Sequence, residues 1–178
     1  MKIVAFLGNP GRKYEHNRHN AGFITGKLAA EYFNIIPKKK EFHCYIGSVK
    51  LEGNEVLLIF PDAFMNSSGV AVNEVMRYYN VNPEDLIAVH DEIELQFGVV
   101  KIKFGGGHKG HNGIRSIIQS TGSADFNRIR IGVGRPPDSG IKVADYLLSD
   151  FSDEELIKIK ELAPRIIQSI HSLIIPAP

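Results

Sequence analysis

Residues 2–33, KIVAFLGNPGRKYEHNRHNAGFITGKLAAEYF, decide the fold. Residues 2–7 are a short apolar run ended by Gly8-Asn9-Pro10-Gly11, the pattern of a buried strand closed by a turn. From Asn20 to about Phe33, Ala21, Ile24, Leu28 and Tyr32 recur at helical spacing. The polar loop between them is much longer than the about 2–6 residues usual between elements. Such loops carry function more often than packing. The same N-terminal run could open a signal peptide. Its apolar stretch is short, however, and no small-residue cleavage site follows, so a first core strand is the better reading.

Working outward, residues 42–51 and 55–60 read as strands joined by a hairpin turn at Glu52-Gly53-Asn54. Gly69 to Tyr79 reads as a helix with Val72, Val75, Met76 and Tyr79 on one face, followed by a turn at Asn82-Pro83-Glu84-Asp85. Leu86 to His90 is a short apolar strand. Val99 to Phe104 alternates with lysine, and a glycine-rich loop and a helix from about Gly113 follow it. Arg128 to Val133 alternates again as a strand. Ser152-Asp153-Glu154-Glu155 resembles a capping box and opens a final helix reaching about Ile174. Strands alternating with helices predict an α/β protein, and the hairpin makes its sheet mixed. The expectation is one domain over residues 1–178, a twisted mixed sheet flanked by helices. Its cleft should lie at the carboxyl ends of the strands. Asn9, Asn66, Asp91 and Asn112 all fall just beyond predicted strands, on one expected rim.

At 178 residues the chain is long enough for one proper core, and its 43% apolar and 23% charged residues are ordinary for a globular protein. The one cysteine, Cys44, cannot form an internal disulfide. No apolar run reaches membrane-spanning length. A cytoplasmic protein without a membrane segment is expected. The net charge of +1 hides an uneven distribution. Residues 1–100 carry −2 and residues 136–178 carry −3, whereas residues 101–135 carry +6. That middle segment, with Lys101, Lys103, Lys109 and Arg130, could attract phosphates, or it could be a solvated surface where charges cluster by chance.

The candidate chemistry starts with His19. Alone, a histidine at a helix start bonds the backbone more often than it reacts. Asp91, a carboxylate at a strand end, could orient that imidazole and stabilise its protonated form; the plainer alternative is a carboxylate capping a turn. Gly105, Gly107 and Gly110 fit a G-x-G-x-x-G pattern, and Asp125 lies about 20 residues on. A dinucleotide site is rejected, because Asp125 precedes the next strand instead of ending it, and the lysine-alternating strand is unlike a buried parallel one. A Walker A loop fails because His111-Asn112 stands where Lys-Ser/Thr is required. What remains is a loop exposing its backbone, suited to a phosphate or a peptide. His16 with His19 and His108 with His111 could be read as metal ligands, but no H-E-x-x-H is present and neither pair sits securely on a helix, so no metal and no cofactor are expected. No G-x-S-x-G occurs, and Cys44 reads as a buried, inert thiol.

Several motifs then stand in order: Gly8-Asn9-Pro10-Gly11 with Tyr14; Arg18-His19-Asn20-Ala21-Gly22; Phe64-Met65-Asn66-Ser67-Ser68-Gly69; His90-Asp91-Glu92; Gly105 through Gly113; and Arg128-Ile129-Arg130-Ile131-Gly132-Val133-Gly134. Together they resemble the bacterial-type peptidyl-tRNA hydrolase family, with order and spacing held along most of the chain. Asp62-Ala63 departs from the usual uncharged polar pair, and the C-terminus, ending Ile174-Ile175-Pro176-Ala177-Pro178, looks short. The resemblance implies hydrolysis of the ester joining a peptide to the 3′-terminal ribose of tRNA, which recycles tRNA in translation. It implies His19 as base, Asp91 as its orienting carboxylate and Asn9 as the residue that helps distinguish blocked from free aminoacyl groups. Tyr14, Phe64, Met65, Asn66, His111 and Asn112 match substrate- and tRNA-contacting positions. The basic residues Lys101, Lys103, Lys109 and Arg130 would hold acceptor-arm phosphates, and the protein would act as a monomer. The rival is a non-catalytic, splicing-type RNA-binding relative of the same fold, against which the joint presence of His19, Asp91 and Asn112 argues.

Overall fold

The computed structural model describes residues 1–175. The expectation of a short C-terminus rests in part on Pro176–Pro178, which lie outside the described residues. Seven strands form one sheet: β1 (Lys2–Phe6), β2 (Lys39–Glu41), β3 (Cys44–Leu51), β4 (Asn54–Pro61), β5 (Leu86–Glu92), β6 (Val100–Phe104) and β7 (Asn127–Gly132). Their spatial order is β2-β3-β4-β1-β5-β7-β6. The pairings among β4, β1, β5 and β7 are parallel, while β2–β3, β3–β4 and β6–β7 are antiparallel. The sheet is therefore mixed, as the hairpin predicts. The antiparallel pairing of β6 with β7 also removes the parallel strand–helix–strand setting that a dinucleotide loop after Phe104 would require.

Strand periodicity builds two cores. Val4 and Phe6 of β1, Val56, Leu58 and Phe60 of β4, Ile87 and Val89 of β5, and Ile129 and Ile131 of β7 enter one of them. It is covered by the helices α1 (Ala21–Tyr32), α5 (Asp153–Glu161) and α6 (Ala163–Ile174). The alternate residues Ile3, Ala5, Leu7, Leu57, Ile59, Leu86 and Ala88 enter the other, beneath α2 (Ser68–Tyr78) and α3 (Asn112–Thr121). Burial on both faces explains why β1, β4 and β5 read as nearly continuous apolar runs.

Three local features depart from the sequence reading. Helix α1 forms where expected, but Tyr32 is 63% exposed, and the buried face runs through Gly22, Thr25, Gly26, Ala29 and Ala30. Small residues let this helix lie against the sheet; a Cβ on Gly22 would stand 2.5 Å from the carbonyl oxygens of Leu7 and Val89. The expected final helix is broken at Leu162 into α5 and α6. Pro164 explains the break, since it lacks an N–H and its ring opposes continuation of the preceding turn. Strand β2 and the short helix α4 (Val143–Leu147) are further elements without a clear periodic signal. Ser152 forms the expected capping box with Glu155.

Candidate active site

His19 lies in a single 3-10 turn, Arg18–Asn20, that leads directly into α1. Its Nδ1 is 2.8 Å from Oδ2 of Asp91. Asp91 belongs to β5 itself and not to the loop after it, because pairing with β7 continues through Asp91↔Ile131 and Glu92↔Gly132. It is 1% exposed. Its other oxygen, Oδ1, is 2.9 Å from Nε2 of His111. His111 is the N-cap of α3, where its Nδ1 accepts from the backbone N–H groups of Gly113 and Ile114.

These contacts fix the tautomers. A ring nitrogen that accepts two N–H groups carries its lone pair there, so His111 bears its proton on Nε2 and donates it to Asp91. Burial opposes ionisation of Asp91, but electrostatic attraction to His19 and His111 and the hydrogen bonds they donate outweigh it and hold the carboxyl well below the usual carboxylate range. An ionised carboxylate only accepts, so His19 donates from Nδ1, and in its neutral form His19 leaves the lone pair on Nε2. Burial disfavours a charge on His19, yet Asp91's charge and hydrogen bond prevail and raise its pKa above the ordinary imidazole value. His90 is different: burial first, then its electrostatic interaction with His111, pushes it down to about 3, so it stays a neutral ring edge-on to His111.

The neighbouring loops are tied to this pair. The Asn20 side chain clasps the backbone of Asn9, accepting from its N–H at 2.8 Å and donating to its carbonyl at 2.9 Å. The Asn9 side-chain oxygen accepts from the Met65 N–H at 2.7 Å. Met65 opens the 3-10 turn before α2 and packs on α3, where a Cβ at Gly113 would meet its sulfur at 2.6 Å. Phe64 and Asn66 flank Met65 and are exposed, and Phe64 makes an edge-to-face contact with Tyr14 at 6.2 Å. Asn112 is exposed beside His111, with its side-chain oxygen 3.3 Å from Arg115. Direct contacts thus join His19, Asp91 and His111 in one set and Asn9 with Met65 in another, the two being linked through Asn20, the neighbour of His19. Tyr14 meets Phe64, and Asn66 and Asn112 are exposed next to Met65 and His111 in the chain.

The clasp by Asn20 and the sharing of Asp91 between two histidines are not visible in the sequence, which carries no signal for which side chain a loop amide will meet. The glycine-rich loop also has a support of its own. Arg128 donates to the carbonyls of Gly106 and Gly107, the latter at 2.7 Å. Lys101 and Arg130 are paired across β6 and β7, and Lys103 faces Arg128 in the same register. Burial, then Lys109, Arg128 and Arg130, lower the pKa of Lys103, so these cations share one patch. Arg130 is half-buried and 3.9 Å from Glu92, whereas Lys101 and Lys109 are exposed.

His19, Asp91 and His111 lie close enough together to hold a metal ion. Here, however, each ring nitrogen facing Asp91 is at hydrogen-bond distance and both carboxylate oxygens already accept. The thiol of Cys44 is buried in β3, and burial pushes its pKa up to about 12, which disables it as a nucleophile. Among the described residues, no helix is long and apolar enough to cross a membrane.

A mixed sheet covered on both faces, with a buried imidazole–carboxylate pair beside the ends of its parallel strands, places the chain among α/β proteins that carry a polar site at that end of the sheet. Comparison with known proteins makes the assignment specific. A family profile described as peptidyl-tRNA hydrolase matches residues 3–176. The peptidyl-tRNA hydrolase of Geotalea uraniireducens is 42% identical over 174 residues, covering 98% of this chain and 90% of that protein. That of Bacillus subtilis is 40% identical over 169 residues, covering 95% and 89%. The crystal structure of peptidyl-tRNA hydrolase from Acinetobacter baumannii superposes with a TM-score of 0.89 at 33% identity, covering 98% of this chain and 88% of that one. The chain belongs to the peptidyl-tRNA hydrolase family.

Proposed function

We propose that this chain hydrolyses the ester bond between a peptide, or an N-blocked aminoacyl group, and tRNA, with His19 as the general base. The observation that carries the reading is the shared carboxylate: Asp91 accepts from His111 and His19 together, which leaves Nε2 of neutral His19 free to take a proton from water. An ester is activated enough for a His-activated water to attack it without a covalent intermediate or a metal ion. His111 acts through Asp91, and its ring nitrogens are both engaged within the protein. Asn9, Asn66 and Asn112 supply amides for the peptide backbone, and such contacts accept many peptide sequences. Met65, Phe64 and Tyr14 line the same rim.

The cation patch of Lys101, Lys103, Lys109 and Arg130 suits the phosphates of the acceptor arm, so selection would follow shape and backbone more than base sequence. In this reading the whole chain works as one domain and as a cytoplasmic monomer. The splicing-type alternative has no use for a base so fully oriented. The test is incubation of the purified protein with N-acetylated and free aminoacyl-tRNA, with and without a chelator. Release from the blocked substrate alone, unchanged by the chelator, is expected. No release, or equal release from both substrates, would overturn the proposal.

A further inference from the structure

The His19 turn is held from a second side, by elements far away in sequence. The 3-10 turn that carries it has three residues and no side-chain cap at its N-terminus. The His19 ring is held by the hydrogen bond from Nδ1 to Asp91 and by packing against His111, with ring centres 5.0 Å apart, but neither contact fixes the backbone of the turn. Asn20 ties the end of the turn to the Asn9 backbone, and its beginning is tied to the stretch between α4 and α5. Backbone bonds join Arg18 N–H to Ser149 carbonyl at 3.1 Å and Phe151 N–H to His16 carbonyl at 2.9 Å. Asn17 and Asp150 form an antiparallel bridge, and the Asn17 amide donates to the Asp150 carboxylate at 2.6 Å.

Arg18 completes the attachment. Its guanidinium carbon lies 4.5 Å from the Tyr146 ring centre and 5.2 Å from that of Phe151. Its Nη1 is 3.1 Å from both carboxylate oxygens of Glu155. Glu155 is itself locked, because Oε1 accepts from the Ser152 N–H in the capping box of α5. The charged partner is thus fixed to a helix terminus, and a planar guanidinium within reach of two rings and a carboxylate makes contacts that the compact ammonium of Lys does not reproduce together.

We propose that Arg18 is a positioning residue for His19, and that the α4–α5 segment, through Tyr146, Phe151 and Glu155, is the mount that aims the imidazole at Asp91 and the attacking water. The proposal rests on the reading of His19 as the base. Arg18 and His19 are neighbours in one turn but serve different elements, so a tilt on the Arg18 side is transmitted to the ring. The ionisable groups facing His19 are Asp91 from β5 and His111 from the start of α3. Those around Arg18 are Glu155, Tyr146 and, through Asn17, Asp150.

The experiment measures steady-state hydrolysis of N-acetyl-aminoacyl-tRNA by Arg18→Lys and Glu155→Gln, together with the NMR titration of the His19 imidazole in each folded variant. Misplacing a catalytic group by about 1 Å can lower turnover on the order of 10²-fold. Arg18→Lys is expected to lower kcat about tenfold or more, with KM changed less than about twofold. Its His19 titration should move down toward the ordinary imidazole value as the hold on Asp91 loosens. Glu155→Gln should change both in the same direction, by less. Wild-type kcat with an unmoved His19 titration would overturn the proposal. So would a loss confined to KM, or a fall in kcat without movement of the titration. If Arg18→Lys does not fold, Glu155→Gln decides by the same criteria. Absence of turnover in the wild type would instead refute the functional reading, while the titration would still decide whether Arg18 sets the imidazole.

Discussion

Replacing Asp91 by Asn keeps the side-chain volume and changes one oxygen for an NH2 group, and the consequence can be worked out atom by atom. His111 cannot change tautomer cheaply, because its Nδ1 accepts from Gly113 and Ile114 N–H. Its Nε2 therefore remains a donor and claims the oxygen of the new amide. The NH2 then faces Nδ1 of His19 across what is a 2.8 Å hydrogen bond in the native protein. Two donors cannot share that position, so His19 must move its proton to Nε2 and accept at Nδ1. The base then has a proton where it needs a lone pair. The same exchange also removes the anion that stabilises the imidazolium formed during attack. A wrong tautomer together with a missing counter-charge lowers kcat by about 10³–10⁴-fold, equivalent to about 4–5.5 kcal/mol of transition-state stabilisation. Single-turnover release of N-acetyl-aminoacyl groups from tRNA measures it, with tRNA affinity followed in parallel by filter binding. Affinity should stay within about twofold. Asp91→Asn activity within about tenfold of wild type would refute the tautomer argument, because no arrangement of the amide satisfies both rings as they now stand.

Other consequences follow from the same geometry. Because Asp91 raises the pKa of His19 and the base must be neutral, kcat/KM should rise with pH through an apparent pKa above 6.5 and be lost below it; an acid limb centred below 6.5 would contradict this. Lys103→Ala and Arg130→Ala should weaken tRNA binding less at high salt than at low salt, with the log–log salt slope flattened by about 1 for each phosphate no longer neutralised; a weakening insensitive to salt would make the patch structural. Gly22→Ala would put a methyl group 2.5 Å from two backbone carbonyl oxygens. It should destabilise the fold by about 1–3 kcal/mol, read as a lower urea midpoint; an unchanged midpoint would mean that α1 can lift off the sheet freely.

How legible the fold and the site are in the sequence depends on the kind of signal. The central strands are plain because burial on both faces leaves only apolar residues in Ile3–Leu7, Val56–Phe60 and Leu86–Val89. The packing face of α1 is masked because Gly22, Gly26, Ala29 and Ala30 carry little hydrophobic weight, while Leu28 and Tyr32 carry more and face outward or partly so. The break at Leu162 has a marker in Pro164, but the apolar periodicity runs on through it and hides the division. At the site, His19 and Asp91 are readable as a pair from their places at a helix start and a strand end. Their tautomers are not, because those depend on His111, and its place in the Gly105–Gly113 stretch does not reveal that its ring caps α3. Arg18 is equally silent: its partners Tyr146, Phe151 and Glu155 lie far along the chain, and only folding brings them to it.

The central claim is that His19 takes the proton from the attacking water. The variant His19→Ala isolates it, since Asp91 keeps His111 as a partner and no buried carboxylate is left unpaired. The measurement is turnover of N-acetyl-aminoacyl-tRNA by folded His19→Ala, beside its tRNA affinity. Removal of a general base lowers the rate by about 10²–10⁴-fold, and that fall with wild-type affinity is the predicted result. Turnover near the wild-type rate would remove His19 from this role and contradict the account.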